Sequence, residues 1–163
     1  MCRSAADGDD YEVVRFQRSR ARAIGAERWV RGADVESWPK GIFAITLFVE
    51  DLEATKRFYQ DVFGLPIAYQ DDDSAVFNFG STMINLLKST AAVDLIAPAV
   101  VASPDSGSRL QLTVQVDNVD AKCAELVERG VVLVNGPMDR PWSIRTACFS
   151  DPGGHLWEIA HDL

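Results

Sequence analysis

The chain has 163 residues, of which 47% are hydrophobic and 25% charged, and its formal net charge is −8 at pH 7. That length allows one ordinary domain with a proper core, and no run approaches the roughly 20 apolar residues of a membrane helix. The acid is concentrated: residues 1–40 hold 8 Lys/Arg and 7 Asp/Glu, and the rest hold 8 and 17, a body that repels nucleic acid and anionic membranes and is compatible with cationic small molecules.

In chain order, residues 1–38 read as an N-terminal arm, disordered or helical, with scattered apolar points between Tyr11 and Val30 and a basic cluster at Arg15, Arg18, Arg20 and Arg22. The start, MCRSAADGDD, lacks the apolar core of a secretory signal, so the expected compartment is the cytoplasm. A single domain is expected over 39–163. Its first unit, 41–88, opens with a branched and aromatic run, Ile42–Val49, that suits a strand. Asp51 can cap a helix whose apolar face is Leu52, Thr55, Phe58, Tyr59, Val62 and Phe63, and Gly64 with Pro66 stops it. Ile67–Tyr69, Ala75–Phe79 and Thr82–Leu87 read as strands, with the triplet Asp71–Asp73 as a solvated hairpin tip.

Residues 89–108 form a small-residue linker with a helical turn expected around Val93–Ala97. The second unit, 109–161, repeats the first. Gln111–Val116 is a strand, Asn118 stands where Asp51 stood, Val119, Cys123, Leu126 and Val127 make the helix stripe, and Gly130 closes it. A strand at Val131–Leu133, a turn at Asn135–Pro137, a strand at Ile144–Ser150, the turn Asp151–Gly154 and a strand at His155–Ala160 follow. Ala44 aligns with Gln111, Leu47 with Val114 and Leu52 with Val119 at one constant offset. The expected fold is therefore α+β, two βαβββ modules forming a curled eight-strand partial barrel around a cleft. Of the three cysteines, Cys123 and Cys148 read as buried thiols, because Cys2, Cys123 and Cys148 form no paired motif.

The stretches LFVEDLEATKRFYQDVFGL and NGPMDRPWSIRTACFSDPGGHLWEIA resemble the vicinal-oxygen-chelate superfamily, which includes glyoxalase I, extradiol dioxygenases, fosfomycin-resistance enzymes and bleomycin-binding proteins. The resemblance covers about residues 41–161 and implies a cleft whose metal-using members hold a divalent ion with four inward side chains. Those positions fall on Ala44, Asn85, Gln111 and Glu158. Only Glu158 is a strong ligand, so no transition metal and no cofactor are expected. Asn85, Gln111 and Glu158 are instead expected to bind a polar or cationic small molecule, or else to hydrogen-bond one another.

Trp142 and Arg145 are further ligand-binding candidates from the segment where the family commonly has a Pro-Trp-Gly turn; Ser143 replaces that glycine. His155 and His161 fall on the opposite strand face from Glu158. Two functions follow from the resemblance: a binding protein that sequesters a small molecule, as in bleomycin resistance, or a metal-independent isomerase or lyase with Glu158 as catalytic general base. An intact metal-dependent glyoxalase or dioxygenase would need ligands the chain lacks. A homodimer is also expected, since open sheet edges invite a partner.

Overall fold

A computed structural model describes residues 41–163, so the expectations for the N-terminal arm lie outside the described residues. Both modules fold in the expected order. β1 (Ala44–Val49), α1 (Leu52–Phe63), β2 (Ile67–Gln70), β3 (Ser74–Asn78) and β4 (Met83–Lys88) form the first. After a short helix, α2 (Val93–Ile96), the second contains β5 (Gln111–Gln115), α3 (Val119–Glu128), β6 (Leu133–Arg140), β7 (Ile144–Ser150) and β8 (Leu156–Asp162). The strands form two separate four-stranded sheets, ordered β1-β4-β3-β2 and β5-β8-β7-β6, with no closed barrel. In each, the first strand runs parallel to the last and the remaining pairs are antiparallel.

The helices start and stop for local reasons. Asp51 Oδ1 accepts from Ala54 N at 2.9 Å and Asn118 Oδ1 accepts from Ala121 N at 2.9 Å, the same cap in both modules. Gly64, at φ 67°, ends α1 in the left-handed conformation that side chains resist. The stripe on α3 is narrower than its sequence suggests. Val119, Cys123 and Leu126 are buried, whereas Val127 is 57% exposed, because it lies on the flank of the helix away from the sheet.

One expected turn is a strand. Asn135–Pro137 lies inside β6, where the ladder to β7 shifts register between Asn135 and Met138. β6 is an edge strand, so Pro137 costs no inner ladder bond, and Gly136 absorbs the irregularity at φ 85°. The real turn is at residues 141–143, where Ser143 takes φ 63° and its N–H donates to Arg140 O at 3.1 Å. The turn expected of a glycine is thus retained with a serine in it.

The helix-side faces of both sheets share one core. Leu47, Ile84 and Leu86 from the first sheet and Ala147, Phe149, Trp157 and Ile159 from the second lie in the same buried cluster as Tyr59, Val62 and Leu126. Aromatic rings join the modules: Tyr59 packs edge-on against Trp157 at 5.8 Å, and Phe79 stacks on Trp157 at 5.3 Å. At the centre, the Asp151 carboxylate accepts from Tyr59 Oη at 3.0 Å, His155 N at 2.9 Å and Trp157 Nε1 at 3.4 Å, and it contacts His155 Nδ1 at 3.1 Å. The Arg129 guanidinium, at the end of α3, donates to the carbonyls of Asp61 and Val62 at the end of α1.

Burial first, and then the Asp151 charge, push the Tyr59 hydroxyl above the ordinary tyrosine value of 10.0. As pH rises the unfolded chain therefore loses this proton before the folded one, so the stability contributed by Tyr59 is fully present below about pH 10 and declines above it. Tyr59→Phe is expected to lower the unfolding free energy by about 1.5–3 kcal/mol at neutral pH, the range for a hydrogen bond to a charged group. Urea denaturation should show that gap, and the gap should narrow above about pH 10.

The two unusual backbone positions respond oppositely. A Cβ on Gly136 would lie 2.6 Å from both Ala147 Cα and Thr146 O, so Gly136→Ala should destabilise by about 2–4 kcal/mol through overpacking and left-handed strain together. Ser143→Gly relieves its strain and should stabilise by about 0.5–1 kcal/mol after the added entropy of the unfolded chain is counted. Denaturant midpoints of the two variants, compared with wild type, measure both effects.

Candidate functional site

Strand alternation divides each sheet into a helix-side face and an outer face. On β7 and β8 the odd positions Ala147, Phe149, Trp157 and Ile159 enter the core, so Thr146, Cys148, Glu158 and Ala160 share the outer face. Across β5, Thr113 is the ladder partner of Glu158, and Gln111 and Gln115 flank it on the same face. Gln111, Thr113 and Gln115 are exposed and Glu158 is half-buried. In the first sheet the equivalent row is Ala44, Thr46 and Phe48 on β1, with Asn85 beside Thr46 on β4.

The duplicated register is visible in the chemistry. Asn85 Nδ2 donates to Thr46 Oγ1 at 3.4 Å, and Thr113 Oγ1 donates to Glu158 Oε2 at 3.0 Å, the same pair of positions in each module. Thr113 orients the carboxylate, and the other oxygen, Oε1, makes no hydrogen bond to the described residues. Next to it on β7, Cys148 is buried, and that burial first and the Glu158 charge second push its thiol up, keeping it protonated. Sequence alone passed over Thr46 and Thr113, although their shared offset is the same one that relates Ala44 to Gln111.

Asn85 lies on the first sheet, only 1% exposed, and Gln111 and Glu158 on the second. A cavity of about 700 Å3 opens between β1, the linker and the turn before β8, lined by Thr46 and Phe48 from β1, Ser103 and Arg109 from the linker, and His155 and Leu156. That volume suits a small organic ligand. Asn85, Gln111 and Glu158 do not themselves line it: Asn85 is bonded to Thr46 on its wall, and Gln111 is the ladder partner of Leu156. Glu158 is two residues further along the same face.

Trp142 and Arg145 are placed differently from these three. Trp142 sits at the β6–β7 turn and is 66% exposed. Arg145 projects to the helix side, where Nε and Nη2 donate to Asp120 at 2.7 and 2.9 Å and Nη1 donates to Asp139 at 2.5 Å. Those bonds hold the Asp120 carboxyl below the usual carboxylate range. The arginine on the Glu158 face is Arg140: its Nε donates to Thr146 Oγ1 at 2.8 Å and its Nη2 to Asn135 Oδ1 at 3.4 Å. Both histidines have structural tasks. His155 contacts the Asp151 carboxylate, and His161 Nδ1 accepts from Val119 N at 3.0 Å at the start of α3.

The four positions that would hold a divalent metal supply a methyl group, two amides and one carboxylate, in Ala44, Asn85, Gln111 and Glu158. Neither an imidazole nor a thiolate is among them, and Glu158 already accepts from Thr113. Such a donor set does not suit zinc, nickel or iron. Among the described residues no three His, Cys, Asp or Glu side chains are grouped to hold a metal ion, and no helix is long and apolar enough to cross a membrane.

The fold and sequence have known counterparts. The uncharacterized protein YraH of Bacillus subtilis is 34% identical over 122 residues, 72% of this chain and 95% of that one. A glyoxalase/bleomycin resistance protein/dioxygenase from Nocardioides superposes with a TM-score of 0.69 at 23% identity, over 94% of this chain and 93% of the other. TnmS3, an antibiotic binding protein from Streptomyces sp. CB03234, superposes with a TM-score of 0.59 at 26% identity, over 77% and 98% of the two chains. The model of one family matches residues 41–159, both modules from β1 to β8, and the chain belongs to that family, the Glyoxalase/Bleomycin resistance protein/Dioxygenase superfamily.

Proposed function

We propose that this chain binds a small organic molecule, held by Glu158, Gln111 and Asn85 without a transition metal, and sequesters it rather than transforming it. The observation that carries this reading is the Glu158 carboxylate: one oxygen is fixed by Thr113 at 3.0 Å and the other is left for a ligand. A carboxylate so held accepts a charge-assisted hydrogen bond from a cationic or N–H group with little reorganisation. The net charge of −8 and the likeness to an antibiotic binding protein support the same reading. Trp142, exposed at the β6–β7 turn, is available to stack on a planar ligand as it enters.

The catalytic alternative uses the same free oxygen of Glu158 as a general base. It is less well supported, because Glu158 is only half-buried and its neighbours Thr113 and Gln111 are exposed, whereas proton abstraction from carbon calls for a site closed to water. The reading includes a homodimer: β1 and β5 each end a sheet with an unpaired ladder edge, and a second copy supplies matching strands.

A thermal-shift screen of small organic cations against the full chain identifies a ligand, since a molecule that binds only the folded form raises the melting temperature. For such a hit, Glu158→Gln is expected to weaken binding by about 1.5–3 kcal/mol while leaving the protein folded. Titration calorimetry on the wild type and the variant checks this. Unchanged affinity for a hit whose turnover disappears in Glu158→Gln would favour the general base instead.

A further inference from the structure

The cavity of about 700 Å3 beside β1 is lined by none of Asn85, Gln111 and Glu158, and it has chemistry of its own. Phe48, Val101, Leu110 and Leu156 give it apolar walls, while His155 reaches it from the turn before β8 and Arg109 from the linker. A volume of this size takes a two-ring organic molecule. His155 serves the fold with one ring nitrogen and leaves the other over. Its Nδ1 lies 3.1 and 3.2 Å from the two oxygens of Asp151, whose side chain is fully buried. An ionised carboxylate only accepts, so the hydrogen sits on Nδ1 and Nε2 carries a bare lone pair. The backbone N–H of His155 donates to the same carboxylate at 2.9 Å, and the ring lies so close to Gly153 that a Cβ there would come within 2.8 Å of Cε1. Both contacts hold the ring in one orientation. Its side chain is 19% exposed, and Nε2 makes no hydrogen bond to the described residues. An acceptor oriented in advance takes an N–H or O–H of a ligand with little reorganisation.

Arg109 supplies a charge at the same place. It stands two residues before Gln111, and His155 stands one residue before Leu156. Gln111 and Leu156 are ladder partners, so both side chains start from one corner of the second sheet. Among the described residues Arg109 makes no ion pair. The acid that lines the cavity, Glu50, belongs to its β1 side and accepts from Ser89 Oγ at 3.0 Å. The guanidinium fork of Arg109 is therefore open to a carboxylate, which it matches in two parallel hydrogen bonds.

We propose that this cavity is a second binding site, separate from the Glu158 face, for a flat, apolar organic acid that also carries a neutral N–H or O–H donor. The donor meets His155 Nε2, the carboxylate meets Arg109, and the rings lie against Phe48, Leu110 and Leu156. The site goes beyond the Glu158 reading and does not rest on it, since the ligand there is cationic and Glu158, Gln111 and Asn85 line no part of this cavity.

Three probes of similar shape separate these elements: indole-3-acetate, naphthalene-1-acetate, which lacks the N–H, and tryptamine, which carries an ammonium in place of the carboxylate. Each is titrated into the full chain while the amide NMR shifts of residues 106–110 and 153–156 are followed. Indole-3-acetate is expected to shift these residues and to bind about five- to tenfold more tightly than naphthalene-1-acetate, the gain of one well-oriented hydrogen bond, and more tightly than tryptamine. Arg109→Gln should weaken both acids about tenfold, and His155→Phe, which keeps a ring but removes Nε2, should make the two acids bind equally. Equal affinities of the two acids for the wild type overturn the proposal. Tighter binding of tryptamine at these residues, or no shift there from either acid, overturns it too. None of these results removes the Glu158 reading, whose cationic ligand is followed at Thr113 and Glu158. The wild-type comparisons need no variant, so a poorly folded His155→Phe does not blunt the test.

Discussion

The Asp151 carboxylate is the constraint on which the arrangement of the two modules depends. It is only 4% exposed, and a buried charge is tolerable only if its lone pairs are satisfied. Its donors come from both halves of the chain: the Tyr59 hydroxyl from α1 of the first module, and the backbone and ring of His155 with the Trp157 indole from the second. Separating the modules would take away the Tyr59 donor, so this bond, with the packing of the surrounding Tyr59, Phe63, Phe79 and Trp157 rings, ties one module to the other. Removing one donor is therefore costlier than the loss of area alone.

Once the helix-side faces are joined in one core, the outer faces are what remains for chemistry. The parallel pairing of first and last strands in each module puts Thr46 beside Asn85 and Thr113 beside Glu158, so each duplicated unit presents one hydroxyl next to one polar side chain. Divergence between the copies then acts on equivalent positions. In the first copy the pair is a hydroxyl and an amide, with Asn85 buried; in the second it is a hydroxyl and a carboxylate, with Thr113 exposed and Glu158 half-buried. The family scaffold survives in the register, while its four aligned positions carry a methyl group, two amides and one carboxylate.

Charge placement separates the tasks of the two strand faces. Arg145 and its two carboxylates fasten α3 to β6 and β7 on one side, and the same pairing removes Asp139 from competition for Arg140 on the other. Likewise His161 satisfies the free N–H of Val119 at the start of α3, and His155 serves Asp151. Both histidines, the usual first suspects for metal or acid–base work, are occupied in holding helices and turns.

Sequence alone determined the modules, because their signals are local: a capping Asp51 or Asn118, an apolar spacing of three and four, a closing Gly64 or Gly130, and one constant offset between copies. The same locality misplaced Asn135–Pro137, since Gly-Pro chemistry reads alike in a turn and in an edge-strand irregularity, and only pairing with β7 tells them apart. The Glu158 position was legible from the register, but Thr113 and Arg140 were not, because a side chain's neighbours across a sheet depend on which strand lies alongside. That choice is made by tertiary packing. It is also why two arginines five residues apart, equally basic on paper, end on opposite faces, Arg145 bonded to two carboxylates and Arg140 to a hydroxyl and an amide oxygen.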